Sequence, residues 1–264
     1  MYCALNREND GISCFTVDEL IEIATNLTKE GKKIHFDKNL EMLHPHKYKK
    51  YLIEEISKIL GNTQEKWIKY VGKKIEEIFP PKGPEGKYEW LNSIQIEQFL
   101  EQLEKKYPNF MSLGAVPIDF WEINYDGIRD KLKDLNELVK KGKTRLGIVY
   151  NLDTHNQPGS HWVASFVDLE NGLITYFDSY GIKPNKRVRK FLRMFAKFMK
   201  KNNIKIHSEY NSTRNQYKNS ECGMYSINFI KMLCENIEFN KIEKTPIPDD
   251  IINGLRKKFF TLHS

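Results

Sequence analysis

The chain has 264 residues, room for one large domain or two smaller ones, and at 40% hydrophobic and 12% aromatic it is not a disordered chain. Its 42 Lys and Arg outnumber 35 Asp and Glu, giving a net charge of +7 and a pI near 9.0. That balance favours acidic or nucleic-acid-rich surroundings, although lysine runs are more often only a solvated face. A polar start and the lack of a long uncharged apolar run argue against a signal peptide and a spanning helix, so no membrane partner is expected.

Residues 1–79 read as a helical domain. Thr16 and Glu19 have the spacing of a capping box, with Phe15 and Leu20 as its hydrophobic staple. Leu20, Ile23, Ala24 and Leu27 then share one helical face. Tyr48, Leu52, Ile56 and Ile59 predict a second helix, and Trp67, Val71, Ile75 and Ile78 a third. Pro80 and Pro81 end that helix, and residues 80–88, PPKGPEGKY, are the best linker candidate.

The remainder, 89–264, mixes helices and strands, so the fold class is α+β. Ile94, Phe99, Leu100 and Leu103 mark an amphipathic helix after Trp90. RLGIVYNL at 145–152 reads as a buried strand; HWVASFVDL and LITYF are two more, joined through Asn171–Gly172, a strong hairpin signal. Val188, Phe191, Leu192, Phe195 and Met199 line one side of a helix, and IKIHSEY alternates as a strand. The stretch after Cys222 is apolar nearly all round, the mark of a centrally buried helix.

Cys3, Cys14, Cys222 and Cys234 are scattered without CxxC spacing. They suggest neither a zinc site nor a disulfide framework, and a reducing compartment, cytosolic or nuclear, is expected. Cys222 stands apart because it opens a helix, where the N-terminal dipole favours a thiolate. Ser220 is placed to cap that helix, and Gly223 would let a substrate carbonyl approach the backbone. A lone cysteine at a helix start is structural more often than catalytic. Here it has company: His161 as a base, Asp178 as an acid to orient it and Gln216 as an oxyanion donor. A tight Asn171–Gly172 turn would pair Asp178 with Ser165, about 13 Å along the strand from His161 at ~3.3 Å per residue. A longer turn or a bulge is therefore required, and Asp168 and Asp153 are the fallback acids. His155 and Asp153 precede His161 in a loop that more readily shapes a groove rim than holds a metal.

His161-Trp162, Asp178 and the run from Gln216 to Cys222-Gly223-Met224-Tyr225, in that order, resemble the cysteine protease superfamily of SUMO-specific proteases and the adenovirus endopeptidase. Trp90 to Leu100 is similar to its substrate-groove motif. NLDTHNQPGSHWVASFVDL, SCFTVDELIEIA and FPPKGPEGKYEWLNSIQI resemble the polyprotein-processing proteases of large cytoplasmic DNA viruses, the African swine fever virus enzyme among them. The resemblance implies a central mixed sheet, a buried helix carrying the nucleophile and an extra N-terminal helical domain. It implies a catalytic set of His161, Asp178, Cys222 and Gln216, substrate binding by Trp90, Asn92, Trp162 and Gly223, and no cofactor or metal. Trp90 and Trp162 would pinch the substrate so that only glycine passes. Ser93 departs from the Asp usual after Trp-Leu-Asn in cellular deSUMOylases, which puts a cellular-type modifier surface in question.

The leading expectation is an endopeptidase that cuts viral capsid or core precursors after glycine, in the host cytoplasm at the virus factory and in the virion. The alternative is an isopeptidase removing SUMO- or ubiquitin-like modifiers. An acetyltransferase on the same core and a basic binding protein with a decayed site are the remaining readings. Non-specific nucleic-acid contact through the basic surface is also expected.

Overall fold

The computed structural model describes residues 2–7, 10–36, 45–86 and 88–261. The chain divides into two compact units, 1–82 and 83–264, and the division falls inside the segment expected to link two domains.

In the first unit, helix α1 (Val17–Lys29) begins with the capping box expected of Thr16 and Glu19. Helix α2 (Pro45–Leu60) packs beside it over a core that includes Phe15, Leu20, Leu27, Leu52 and Trp67. The third expected helix does not form as one piece. A 3₁₀ helix at Gln64–Tyr70 is followed by extended Val71 and a second short one at Ile75–Glu77, with Ile75 exposed. Side chains of α1 take the backbone groups that would have continued it: Asn26 donates to the Tyr70 carbonyl, and Glu22 accepts from the Gly72 N–H. Cys3 and Cys14 form a disulfide with a Cα–Cα distance of 5.2 Å, which corrects the expectation of unpaired thiols. The two lie only eleven residues apart without a motif, so spacing did not reveal the pair.

Glu19 is the charged pivot of this unit. It receives a two-pronged Arg7 guanidinium at 2.7 Å and Lys73 at 2.6 Å. Burial raises its pKa, but the hydrogen bonds from Arg7 and Lys73 outweigh this and hold the carboxyl at about 2. A depressed carboxylate stabilises the folded state above its unfolded pKa and loses that contribution as pH falls. Glu19→Gln keeps the capping geometry and should lower Tm at neutral pH. The gap to wild type should narrow steadily below about pH 4.5 in thermal melts across pH; a gap independent of pH would mean the charge is not the stabilising element.

The second unit is built on a five-stranded sheet in the order β1 (Phe110–Pro117), β2 (Arg145–Asn151), β3 (Trp162–Asp168), β4 (Leu173–Phe177), β5 (His207–Tyr210). β1–β2 and β4–β5 are parallel and the two central pairings antiparallel, so the sheet is mixed. The β1 strand has no regular alternation. Gly114 sits at φ +84°, its N–H donates to Ser112 Oγ, and the register slips between Ser112 and Ala115. This bulge hides the period of two that would identify a strand.

Helix α3 (Ser93–Lys106) packs on β1. Helix α4 (Leu135–Lys140) precedes β2. Helix α5 (Lys186–Lys201) buries Val188, Phe191, Leu192, Phe195 and Met199, the five positions expected, against Ile148, Tyr150, Val163 and Ile174 on one face of the sheet. Helix α6 (Cys222–Cys234) lies on the other face, where Phe229 stacks on Phe177 at 5.0 Å. Gly147 makes that approach feasible, since a Cβ there would meet Phe110 at 2.7 Å and Ile230 of α6 at 3.0 Å. Strands covered on both faces read as continuous apolar runs. Three short helices, α7 (Phe239–Lys244), α8 (Asp249–Gly254) and α9 (Arg256–Phe259), follow α6.

Candidate active site

The hairpin register settles where Asp178 lies. Asp168 pairs with Leu173, so the turn holds four residues, Leu169 to Gly172, rather than two. Asp168 anchors it by accepting from the N–H groups of Glu170 and Asn171 and from Arg145 Nε. That occupies the first fallback acid. The ladder then pairs Phe177 with Ala164, which brings Asp178 level with Val163, two residues from His161. Both residues lie just past their strand ends, and His161 Nε2 donates to Asp178 Oδ1 at 2.8 Å. Asn211, following β5, clamps the acid by accepting from the Asp178 N–H (2.8 Å) and donating to its carbonyl (2.7 Å).

With Nε2 committed to Asp178, Nδ1 is left for the thiol. Cys222, the first residue of α6, is the other group that acts on this imidazole. Burial lowers the His161 pKa, but its hydrogen bonds with Asp178 and Cys222 more than compensate and lift it to about 9. That favours a proton on the imidazole at neutral pH.

Gln216 is fully buried, and its amide orientation is fixed. Ser179, next to the acid, donates its hydroxyl proton to Gln216 Oε1 at 2.6 Å, and Gln216 Nε2 donates to the Lys218 carbonyl at 2.8 Å. A primary amide has two N–H groups, so one remains for an incoming oxygen. Ser220 does not cap α6. Its N–H and hydroxyl both donate to buried Glu221, which also receives Asn253 Nδ2. Arg256 completes this support by donating to the Ser220 carbonyl and to Asn253 Oδ1, both at 2.9 Å.

Trp90 is 46% exposed and Trp162 only 7%, and both line a cleft of about 410 Å³ with Asn92, Asp153 and His155. The Trp162 indole N–H donates to the carbonyl of Leu91 at 2.8 Å, so the two tryptophans are tied through the residue between Trp90 and Asn92. Asn92 also serves its own helix, accepting from the Gln95 N–H as the N-cap of α3. The side-chain direction of Gly223 faces Leu91. A Cβ there would lie 3.0 Å from Leu91 Cβ. Asp153, the other fallback acid, accepts from Ser160 Oγ, and His155 pairs with Asp119 at 2.6 Å on the cleft rim. Among the described residues, no group of three or more His, Cys, Asp or Glu is placed to hold a metal ion.

Sequence reasoning missed Tyr180. Its ring stacks on the His161 imidazole with centroids 4.5 Å apart and 16° between planes. The Arg214 guanidinium lies 5.2 Å from the same ring and 4.8 Å from the ring of Tyr217, while its Nε donates to the Gln216 carbonyl at 2.7 Å. Tyr180 lies two residues past Asp178, a spacing that could have drawn attention to it. Asn253 and Arg256 carry no such signal.

The model of the Ulp1 protease family, C-terminal catalytic domain, matches residues 97–264. The protein described as thiol protease R355 of Acanthamoeba polyphaga mimivirus is 32% identical over 97% of this chain and 90% of its own length. Cysteine protease S273R of African swine fever virus is 26% identical over 73% of this chain and 75% of its own. Ubiquitin-like-specific protease 1 of Saccharomyces cerevisiae is 26% identical over 66% of this chain and 27% of its own. The crystal structure of the African swine fever virus pS273R protease superimposes with a TM-score of 0.69 at 22% identity, covering all of this chain and 96% of that one, which shows a common fold.

Proposed function

The chain belongs to the Ulp1 protease family and is a cysteine protease, and from that premise we propose that it is a viral maturation endopeptidase that cuts structural precursors after glycine. The observation that carries this reading is the buried His161–Asp178 bond at 2.8 Å, with Cys222 at the start of α6 acting on the same imidazole. Cys222 attacks the scissile carbonyl as a thiolate. His161, held by Asp178, keeps the proton and delivers it to the leaving amine. The free N–H of Gln216 and the backbone N–H of Cys222 receive the oxyanion. Water, giving a proton to His161, then attacks the thioester; the carbon–sulfur bond breaks, the carboxylate product leaves and the Cys222 thiolate with protonated His161 is restored.

Trp90 and Trp162, in one cleft, support a narrow passage that only glycine clears without a side-chain clash. Kinship with proteins of large DNA viruses supports a viral source and action in the infected cytoplasm and the virion. Non-specific nucleic-acid contact belongs to the same reading and should weaken as salt rises. The alternative, removal of a SUMO- or ubiquitin-like modifier, draws support from the name SUMO-1 cysteine protease carried by an African swine fever virus relative 27% identical to this chain. Short Gly-Gly-X peptides and a folded SUMO or ubiquitin fusion, assayed in parallel, separate the two. Efficient peptide cleavage supports the endopeptidase, whereas cleavage of the folded fusion alone supports the isopeptidase.

Tyr180 is a positioning residue in this scheme. The face of its ring favours the protonated imidazole, an effect of about 0.5–1 kcal/mol, which corresponds to roughly half a pH unit. The alkaline limb of kcat/KM should lie near pH 9 in the wild type, where the imidazolium loses its proton. In Tyr180→Leu it should move down by about half a unit. An unmoved limb would make the stack mere packing.

A further inference from the structure

The positive charge of this protein resides in one segment. Residues 181–208 contain ten Lys and Arg and no Asp or Glu, so the rest of the chain has 32 basic against 35 acidic residues and is net negative. All ten cationic residues are exposed. Among the described residues, one of them has a carboxylate partner, Arg187 with Glu122 at 3.3 Å. Lys186, Lys190, Arg193, Lys197 and Lys200 recur at spacings of four and three along α5. They form a straight ridge of about 21 Å at ~1.5 Å rise per residue.

Apolar clefts flank this ridge. One, of about 410 Å³, is walled by Phe120, Trp121, Phe191 and Met194. The other, of about 300 Å³, is walled by Ile174, Tyr176, Leu192 and Tyr210. Arg193 borders both. A bilayer does not suit this face, because the apolar side of α5 is already committed to the core and cannot insert. A polyphosphate would match the ridge but has nothing to place in the clefts. An acidic polypeptide with apolar anchors satisfies both: the aromatic, Met and Arg side chains of the clefts are typical of protein-binding surfaces, the lysines supply a charged rim, and each cleft has one carboxylate in its lining, Glu122 or Glu209.

We propose that the α5 ridge and its two clefts form an exosite for an acidic polypeptide segment bearing spaced Leu or Phe side chains. It lies on the face of the sheet opposite α6, so its occupant leaves the Cys222 side open and can hold a substrate or a partner during turnover.

The test is fluorescence anisotropy at physiological salt with three probes: a short labelled Asp/Glu peptide carrying spaced Leu and Phe, the same peptide with those residues changed to Ser, and a DNA duplex. The first peptide should bind at least ~10-fold more tightly than the second. Lys190→Glu with Arg193→Glu, both exposed, should weaken it at least ~10-fold while cleavage of a short Gly-Gly peptide stays unchanged. Equal binding of the two peptides, tighter binding of the duplex, or no saturable binding would each overturn the proposal. Loss of peptide cleavage with probe binding intact would count against the peptidase reading alone.

Discussion

Cys222→Ala should lower cleavage of a Gly-Gly-X peptide by on the order of 10⁴-fold or more, to background, while the protein still folds. The sulfur is the reacting atom in the proposed scheme, and no other thiol can replace it. Cys3 and Cys14 are bonded to each other. Cys234 is buried at the far end of α6, and burial pushes its thiol up to about 12, so it stays protonated and inert at neutral pH. Cys222 is as buried as Cys234, but it acts on the His161 imidazole and begins a thirteen-residue helix. A limiting amount of iodoacetamide should therefore label Cys222 first, and Cys222→Ser should be as inactive as the alanine variant. Residual thiol-dependent cleavage in Cys222→Ala, or faster labelling at Cys234, would remove Cys222 from the mechanism.

Gln216→Ala should cost about 10²- to 10³-fold in kcat with KM little changed, because the lost hydrogen bond forms only as the carbonyl oxygen becomes charged. The amide is well prepared for this. Ser179 and the Lys218 carbonyl fix it before substrate arrives, so little reorganisation remains for the reaction. Gln216→Glu should be at least as poor, since a carboxylate cannot donate and would oppose the developing oxyanion. Steady-state kinetics on one peptide decides the matter: a variant that loses only KM would place Gln216 in ground-state binding.

Much of the fold follows from periodicity, and the failures have physical causes. The apolar positions of α5 and α6 are legible because each helix buries mostly apolar side chains against the sheet. β1 escapes because a bulge at Gly114 breaks its alternation. The helix expected over Trp67 to Ile78 fails because Asn26 and Glu22 supply partners that the local sequence does not contain.

The site divides in the same way. His161, Asp178, Gln216 and Cys222 are recognisable as chemical types in a telling order. That His161 meets Asp178 depends on a turn of four residues held by Asp168, an interaction that Asn171–Gly172 conceals behind the pattern of a shorter turn. Gly172 itself is required, at φ +70° with a Cβ that would fall 1.9 Å from the Lys205 carbonyl oxygen. The layer beneath Cys222, Glu221 with Asn253 and Arg256, joins residues more than thirty positions apart and carries no local signature.

The close approach of Gly223 to Leu91 also constrains how this sequence can drift. The two positions lie 132 residues apart in the chain (223 − 91), yet a side chain at 223 would grow straight into Leu91. An alanine at 223 alone would push Leu91, and with it the carbonyl that holds Trp162. A descendant that gains a side chain at 223 should therefore also carry a smaller one at 91, so that the nucleophile's helix and the mouth of the cleft share one evolutionary fate.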